Sequence, residues 1–154
     1  MTQYHEKYPP KIGRAQAFER GHNPGQAGHC LLYGDDTAGA HSLSISILKK
    51  GSEAPLHIHS REDETFYVIE GTLDARVGDN HHTLEVGDSV FLPRGLKHRL
   101  LCLSGEAKLL MLIHPPGLEK FFDEIDQAVA EGPASKETMI ELSAKYGITI
   151  LENE

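Results

Sequence analysis

At 154 residues, with 39% apolar side chains and a formal charge of −8, the chain has the size and composition of one folded domain. The acidic balance, without a Lys/Arg cluster, excludes nucleic-acid recognition built on phosphate neutralisation and gives no basis for an anionic membrane surface. No run approaches the roughly 18 consecutive apolar residues of a membrane helix, and the N-terminal stretch lacks the basic start and apolar run of a secretory signal, so a cytoplasmic location is expected.

Residues 1–40 read as an N-terminal arm with short strands, because Pro9, Pro10, Gly13, Gly21, Pro24, Gly25 and Gly28 punctuate it densely. From His41 the pattern changes: His41, Leu43, Ile45 and Ile47 alternate with Ser42, Ser44 and Ser46, the period of a strand with one buried face. We assign the Leu/Ile face to the interior. Further short strands are expected at 56–59, 65–69, 73–77, 82–86, 89–92, 98–103 and 108–113, separated by turn signals such as Gly71-Thr72, Gly78-Asp79-Asn80, Gly87-Asp88 and Pro93-Arg94-Gly95. Short strands without intervening helices predict an all-β sandwich or barrel over residues 41–114.

After Pro115-Pro116 the period becomes helical. Leu118, Phe121, Phe122, Ile125 and Val129 form one apolar stripe, expected to lie on the barrel in preference to a partner. A second helix should start with Ser135 as N-cap, carry Met139, Leu142 and Tyr146, and stop at Gly147 in the C′ position; Ile148–Leu151 is left as a strand or tail. Residues 115–154 are thus a C-terminal helical extension.

The chemistry concentrates in four residues. His57 and His59, one residue apart, project from the same face of a strand and can reach a common ion. Glu64 has the wrong parity for that face, so the polar stretch Ser60–Asp63 must turn to bring its carboxylate inward. His98 follows the Pro93-Arg94-Gly95 turn and can be aimed at the same cavity. Three neutral imidazoles and one carboxylate suit one divalent transition metal, Fe, Mn, Ni, Co, Cu or Zn, with coordination positions left open. By strand parity Phe66, Val68, Leu100 and Cys102 are pocket candidates. The remaining histidines, among them His5, His22, His29, His81, His82 and His114, have no partner that defines chemistry, His41 is assigned to packing, and Cys30 and Cys102 read as two free thiols.

Taken together, Gly51-x5-His57-x-His59-x4-Glu64-x6-Gly71 and Gly87-x5-Pro93-x-Gly95-x2-His98 have the spacing of the two cupin motifs. The chain resembles a single-domain cupin, with Cys102 where that pattern commonly has Asn. The resemblance implies an antiparallel jelly-roll barrel, the double-stranded β-helix, with His57, His59, Glu64 and His98 as metal ligands. Glu62–Gly71, Val77-Gly78-Asp79, Phe91–Gly95 and Pro116–Phe122 are similar to the quercetin 2,3-dioxygenase-like group, which implies a small aromatic or enol-type substrate, dioxygen as co-substrate, and Glu64 as ligand and general base. It also implies a homodimer through barrel edges, with the arm over a partner strand. The same ligands would equally serve a metal-dependent isomerase, epimerase or lyase on a small sugar or keto acid, or a non-catalytic binder.

Overall fold

The computed structural model describes residues 4–14, 26–130 and 132–151. A short helix α1 (Tyr4–Lys7) precedes ten strands: β1 (Gln26–Leu32), β2 (Ser42–Lys49), β3 (His57–His59), β4 (Asp63–Glu70), β5 (Leu73–Val77), β6 (Asn80–Leu84), β7 (Ser89–Leu92), β8 (His98–Cys102), β9 (Glu106–His114) and, after helices α2 (Leu118–Val129) and α3 (Lys136–Lys145), β10 (Ile148–Ile150). They form two five-stranded antiparallel sheets, ordered β1-β2-β9-β4-β7 and β10-β3-β8-β5-β6, which make a jelly-roll barrel.

Strict alternation makes the barrel. On β9, Ala107, Leu109, Met111 and Ile113 point inward while Lys108, Leu110 and Leu112 are half-buried. On β4 the inward set is Glu64, Phe66 and Val68. Leu73 and Ala75 of β5, Leu92 of β7 and Cys102 of β8 complete an interior of nearly solvent-free side chains. Glycines sit where the turns need left-handed backbone: Gly71, at φ +90°, sends β4 into β5, and a Cβ there would run into the Glu106 carbonyl and Ala107.

Two expectations from the sequence are corrected here. On β2 the inward residues are the serines: Ser42 and Ser44 are buried and Ser46 faces the cavity, while Leu43 and Ile47 lie half-buried on the outer face. Ile45 on that outer face is buried as well, so both faces of β2 receive cover and alternation alone does not say which one points in. β6 runs over 80–84 instead of 82–86, because His82 pairs with Ala75 and Asn80 with Val77 across a tight Gly78-Asp79 turn. The first sheet also begins upstream of residue 41, since β1 is a seven-residue edge strand paired with β2. His22 lies outside the described residues, and both cysteines are free.

α2 packs Leu118, Phe121 and Ile125 against the barrel, the stripe that the periodicity announces. α3 starts where Ser135 Oγ accepts the Thr138 N–H and ends before Gly147, at φ +74°. The chain then returns as β10 beside β3, so the helical pair is clamped to the strand that carries His57 and His59. Among the described residues no helix is long and apolar enough to cross a membrane.

Candidate metal centre

The four sequence-selected residues meet inside the barrel from both sheets. β3 and β8 belong to one sheet and place His57 directly across from His98. β4 belongs to the other, and the bend at Ser60–Glu62 carries the chain between sheets, which resolves the parity of Glu64. Glu64 projects inward between Leu92 of β7 and Ile113 of β9, both almost fully buried. One ligand atom from each of His57, His59, Glu64 and His98 can be chosen so that all lie within 4.8 Å of one another. His59, Glu64 and His98 are each 3–4% exposed, and the planes of His59 and His98 are stacked at 5.5 Å.

Neighbouring backbone fixes the imidazoles. His57 Nδ1–H donates to the Pro55 carbonyl at 2.7 Å and His98 Nδ1–H to the Leu96 carbonyl at 3.1 Å, which turns the Nε2 lone pair of each toward the interior. The second motif is tied to the first at its turn: Gly95 N–H donates to the His59 carbonyl at 2.7 Å, and Arg94 donates from Nε and Nη2 to both oxygens of Asp63 at 3.0 and 2.9 Å. Glu53 accepts the N–H groups of Gly51 and Cys102, each at 2.8 Å, and so ties the loop before β3 to β8.

The donor set fits a cation. His98 Nε2 is buried without an aligned hydrogen-bond partner, yet lies 3.0 Å from Glu64 Oε2; His59 Nε2 lies 3.4 Å from the same oxygen. With Nδ1 already protonated, a lone pair on His98 faces a carboxylate oxygen, and two acceptors at this distance call for a proton or a metal ion between them. Burial works to raise the Glu64 pKa, but His98, followed by the charges of His59 and His57, outweighs it and holds Glu64 at about 2, ionised at any physiological pH. His57 is pushed down to about 4, mainly by burial and then by His98. It is neutral at pH 7, as a ligand must be.

A cavity of about 400 Å³ opens from the cluster. Phe66 and Leu100 line it, as their parity indicates, together with Leu48, Met111, Phe121 and Phe122. Val68 and Cys102 do not. Val68 is fully buried in the core, and the Cys102 thiol turns toward Ser104, so inward parity marks the barrel interior without separating its open end from its packed end. Two residues escaped the sequence reading: Glu53, at the cavity wall, and Glu62, only 5% exposed, whose Oε2 lies 3.6 Å from His59 Nδ1. Glu62 sits in the polar stretch Ser60–Asp63 that reads only as a turn, and Glu53 in a loop without a motif signal. Of the other histidines, His81 is exposed and paired with Asp74, His82 is exposed, and His114 bonds the Ala40 carbonyl.

Residues 44–114 match the family model described as "Cupin domain". The RmlC-like cupin of Shewanella frigidimarina superimposes with a TM-score of 0.55 at 23% identity, over 73% of this chain and 89% of that one. The barrel has the cupin fold. Similar cupin barrels include a predicted oxalate decarboxylase of Thermotoga maritima (TM-score 0.57, 22% identity, 66% of this chain and 96% of that one) and the polyketide cyclase RemF of Streptomyces resistomycificus (0.53, 20%, 73% and 78%). In sequence, Protein SchB of Streptomyces halstedii is 26% identical over 80 residues, which is 51% of this chain and 57% of SchB. This chain therefore aligns with less than two thirds of that relative's length.

Proposed function

We propose that this cupin is a metal-dependent dioxygenase acting on a small aromatic or enol-type substrate, with His57, His59, Glu64 and His98 holding one divalent transition metal. The observation that carries the substrate class is the cavity wall. Its apolar surface is built from Leu48, Phe66, Leu100, Met111, Phe121 and Phe122, and among the described residues no Lys or Arg lines it. A phosphorylated sugar or a dicarboxylate would need a cationic partner there, whereas a flat molecule with a single acidic hydroxyl needs none beyond the site itself. The likeness of Glu62–Gly71 and Phe91–Gly95 to the quercetin 2,3-dioxygenase-like cupins supports the same class.

A bound divalent metal would supply Lewis-acid acidification of the substrate hydroxyl and, where redox-active, an electron path to dioxygen. The chain's own residues do the rest. Glu64, ionised in the resting site, accepts the hydroxyl proton, its basicity in the loaded site being set by the ion it would hold. Phe66, Leu100 and the α2 residues Phe121 and Phe122 hold the ring system against the cluster and exclude water. The test is oxygen consumption by metal-loaded protein with a flavonol or an enolisable dione. Uptake that disappears in Glu64→Gln supports the proposal, and no uptake with Fe, Mn, Co, Ni or Cu ends it.

A second reading, metal-assisted ring closure without oxygen, is favoured by the likeness to a polyketide cyclase combined with the same apolar cavity. Turnover of an enolic polyketone under anaerobic conditions would decide for it.

A further inference from the structure

The three imidazoles of the cluster are not held alike. His57 and His98 each donate Nδ1–H to a backbone carbonyl. His59 has no such carbonyl. Its Nδ1 is buried without a hydrogen-bond partner and faces Glu62 Oε2 at 3.6 Å, itself buried and without one. Each atom is the nearest outlet for the other, because a buried carboxylate oxygen and a buried ring nitrogen are both costly when left alone.

We propose that Glu62 is the positioning residue of His59, taking the Nδ1–H so that Nε2 is the ligating atom and making this imidazole a stronger, more anionic donor than the other two. Glu62 is not a fifth ligand, since it lies against the Nδ1 edge while Nε2 faces Glu64, so the ring stands between Glu62 and the cluster. Its charge also completes the electrostatics: a dication with Glu64 leaves one positive charge, and Glu62 cancels it across the ring. The bend that carries the chain from β3 to β4 thus delivers two carboxylates, Glu64 to the metal and Glu62 to the back of a ligand. This inference rests on the metal-binding reading above.

Co(II) titration of metal-free wild type, Glu62→Gln and Glu62→Ala, followed by visible absorption, tests it. Glu62→Ala should weaken Co(II) binding by about 10–100-fold and change the d–d bands, with Glu62→Gln, which keeps an acceptor oxygen, in between. Affinity and spectrum of Glu62→Ala that stay within about twofold of wild type would overturn the role of Glu62 alone; failure of wild type to bind Co(II) would instead overturn the metal reading. Should Glu62→Ala not fold, Zn(II)-loaded wild type decides. The His59 Nδ1 proton should be slow to exchange and downfield of those of His57 and His98 in ¹H–¹⁵N spectra, and a rapidly exchanging one refutes the proposal.

Discussion

Acidifying the metal-free protein should destabilise it through His57. The folded-state pKa of this imidazole falls from 6.5 to about 4, driven first by burial and then by His98. At about 1.36 kcal/mol per pH unit, the difference amounts to about 3 kcal/mol. Because the folded pKa is the lower one, the unfolded chain binds more protons between pH 6.5 and 4. Stability is therefore full above pH 6.5 and is lost as pH falls toward 4. His59 works the other way: burial lowers its pKa, but Glu62 and Glu64 outweigh that and raise it, so it offsets part of the loss. Glu64, held at about 2, keeps its contribution until pH falls below 4.5, outside this window. Between pH 7 and 4.5 about 2.4 kcal/mol of the His57 contribution is lost, and for a chain of this size each kcal/mol moves the melting temperature by about 2–4 °C, so a drop of about 5–10 °C, less the His59 offset, is expected. Circular dichroism melts in chelator at the two pH values measure it, with His57→Asn as the control that removes most of the slope. A melting temperature that is flat or rising on acidification, or a slope unchanged in His57→Asn, would refute the reasoning.

Two further outcomes follow from packing. Leu118→Ala removes a side chain that is 1% exposed and belongs both to the core and to the cavity wall, so it should cost about 2–5 kcal/mol in a denaturant titration and loosen binding of any apolar ligand; a loss below about 1 kcal/mol would mean that α2 is not part of the core. Gly147→Ala meets a left-handed backbone at φ +74° and a new Cβ that would run into Ser60 Oγ and Arg61, so it should cost more than about 1–2 kcal/mol, and a neutral effect would contradict the observed turn.

The site was legible in the sequence because bringing four side chains to one point imposes spacing. His57 and His59 share a face by strand parity, the chain must turn before Glu64, and the Pro93-Arg94-Gly95 turn returns His98 beside them. Helix boundaries at Leu118, Ser135 and Gly147 were legible for a similar reason, since caps are local chemistry. What depends on the neighbouring sheet was not. The serines of β2 point inward although Leu43, Ile45 and Ile47 are the apolar set, because both faces of this strand are partly buried and alternation does not tell them apart. Val68 and Cys102 share parity with Phe66 and Leu100 yet lie in the packed end, since depth along a barrel has no signature in alternation. Glu62 has no role in the sequence reading beyond the polar turn Ser60–Asp63; only the bend between sheets shows that it is buried behind His59.

The central claim is that His57, His59, Glu64 and His98 grip one cation, and metal stoichiometry tests it most directly. Protein purified without chelator and analysed by plasma mass spectrometry should carry or take up one divalent transition metal per chain. His57→Ala/His98→Ala, which removes the pair opposed across β3 and β8, should lose it while keeping its β-sheet circular dichroism. No saturable binding of Mn, Fe, Co, Ni, Cu or Zn to the wild-type chain, or equal binding by the double variant, would contradict the account.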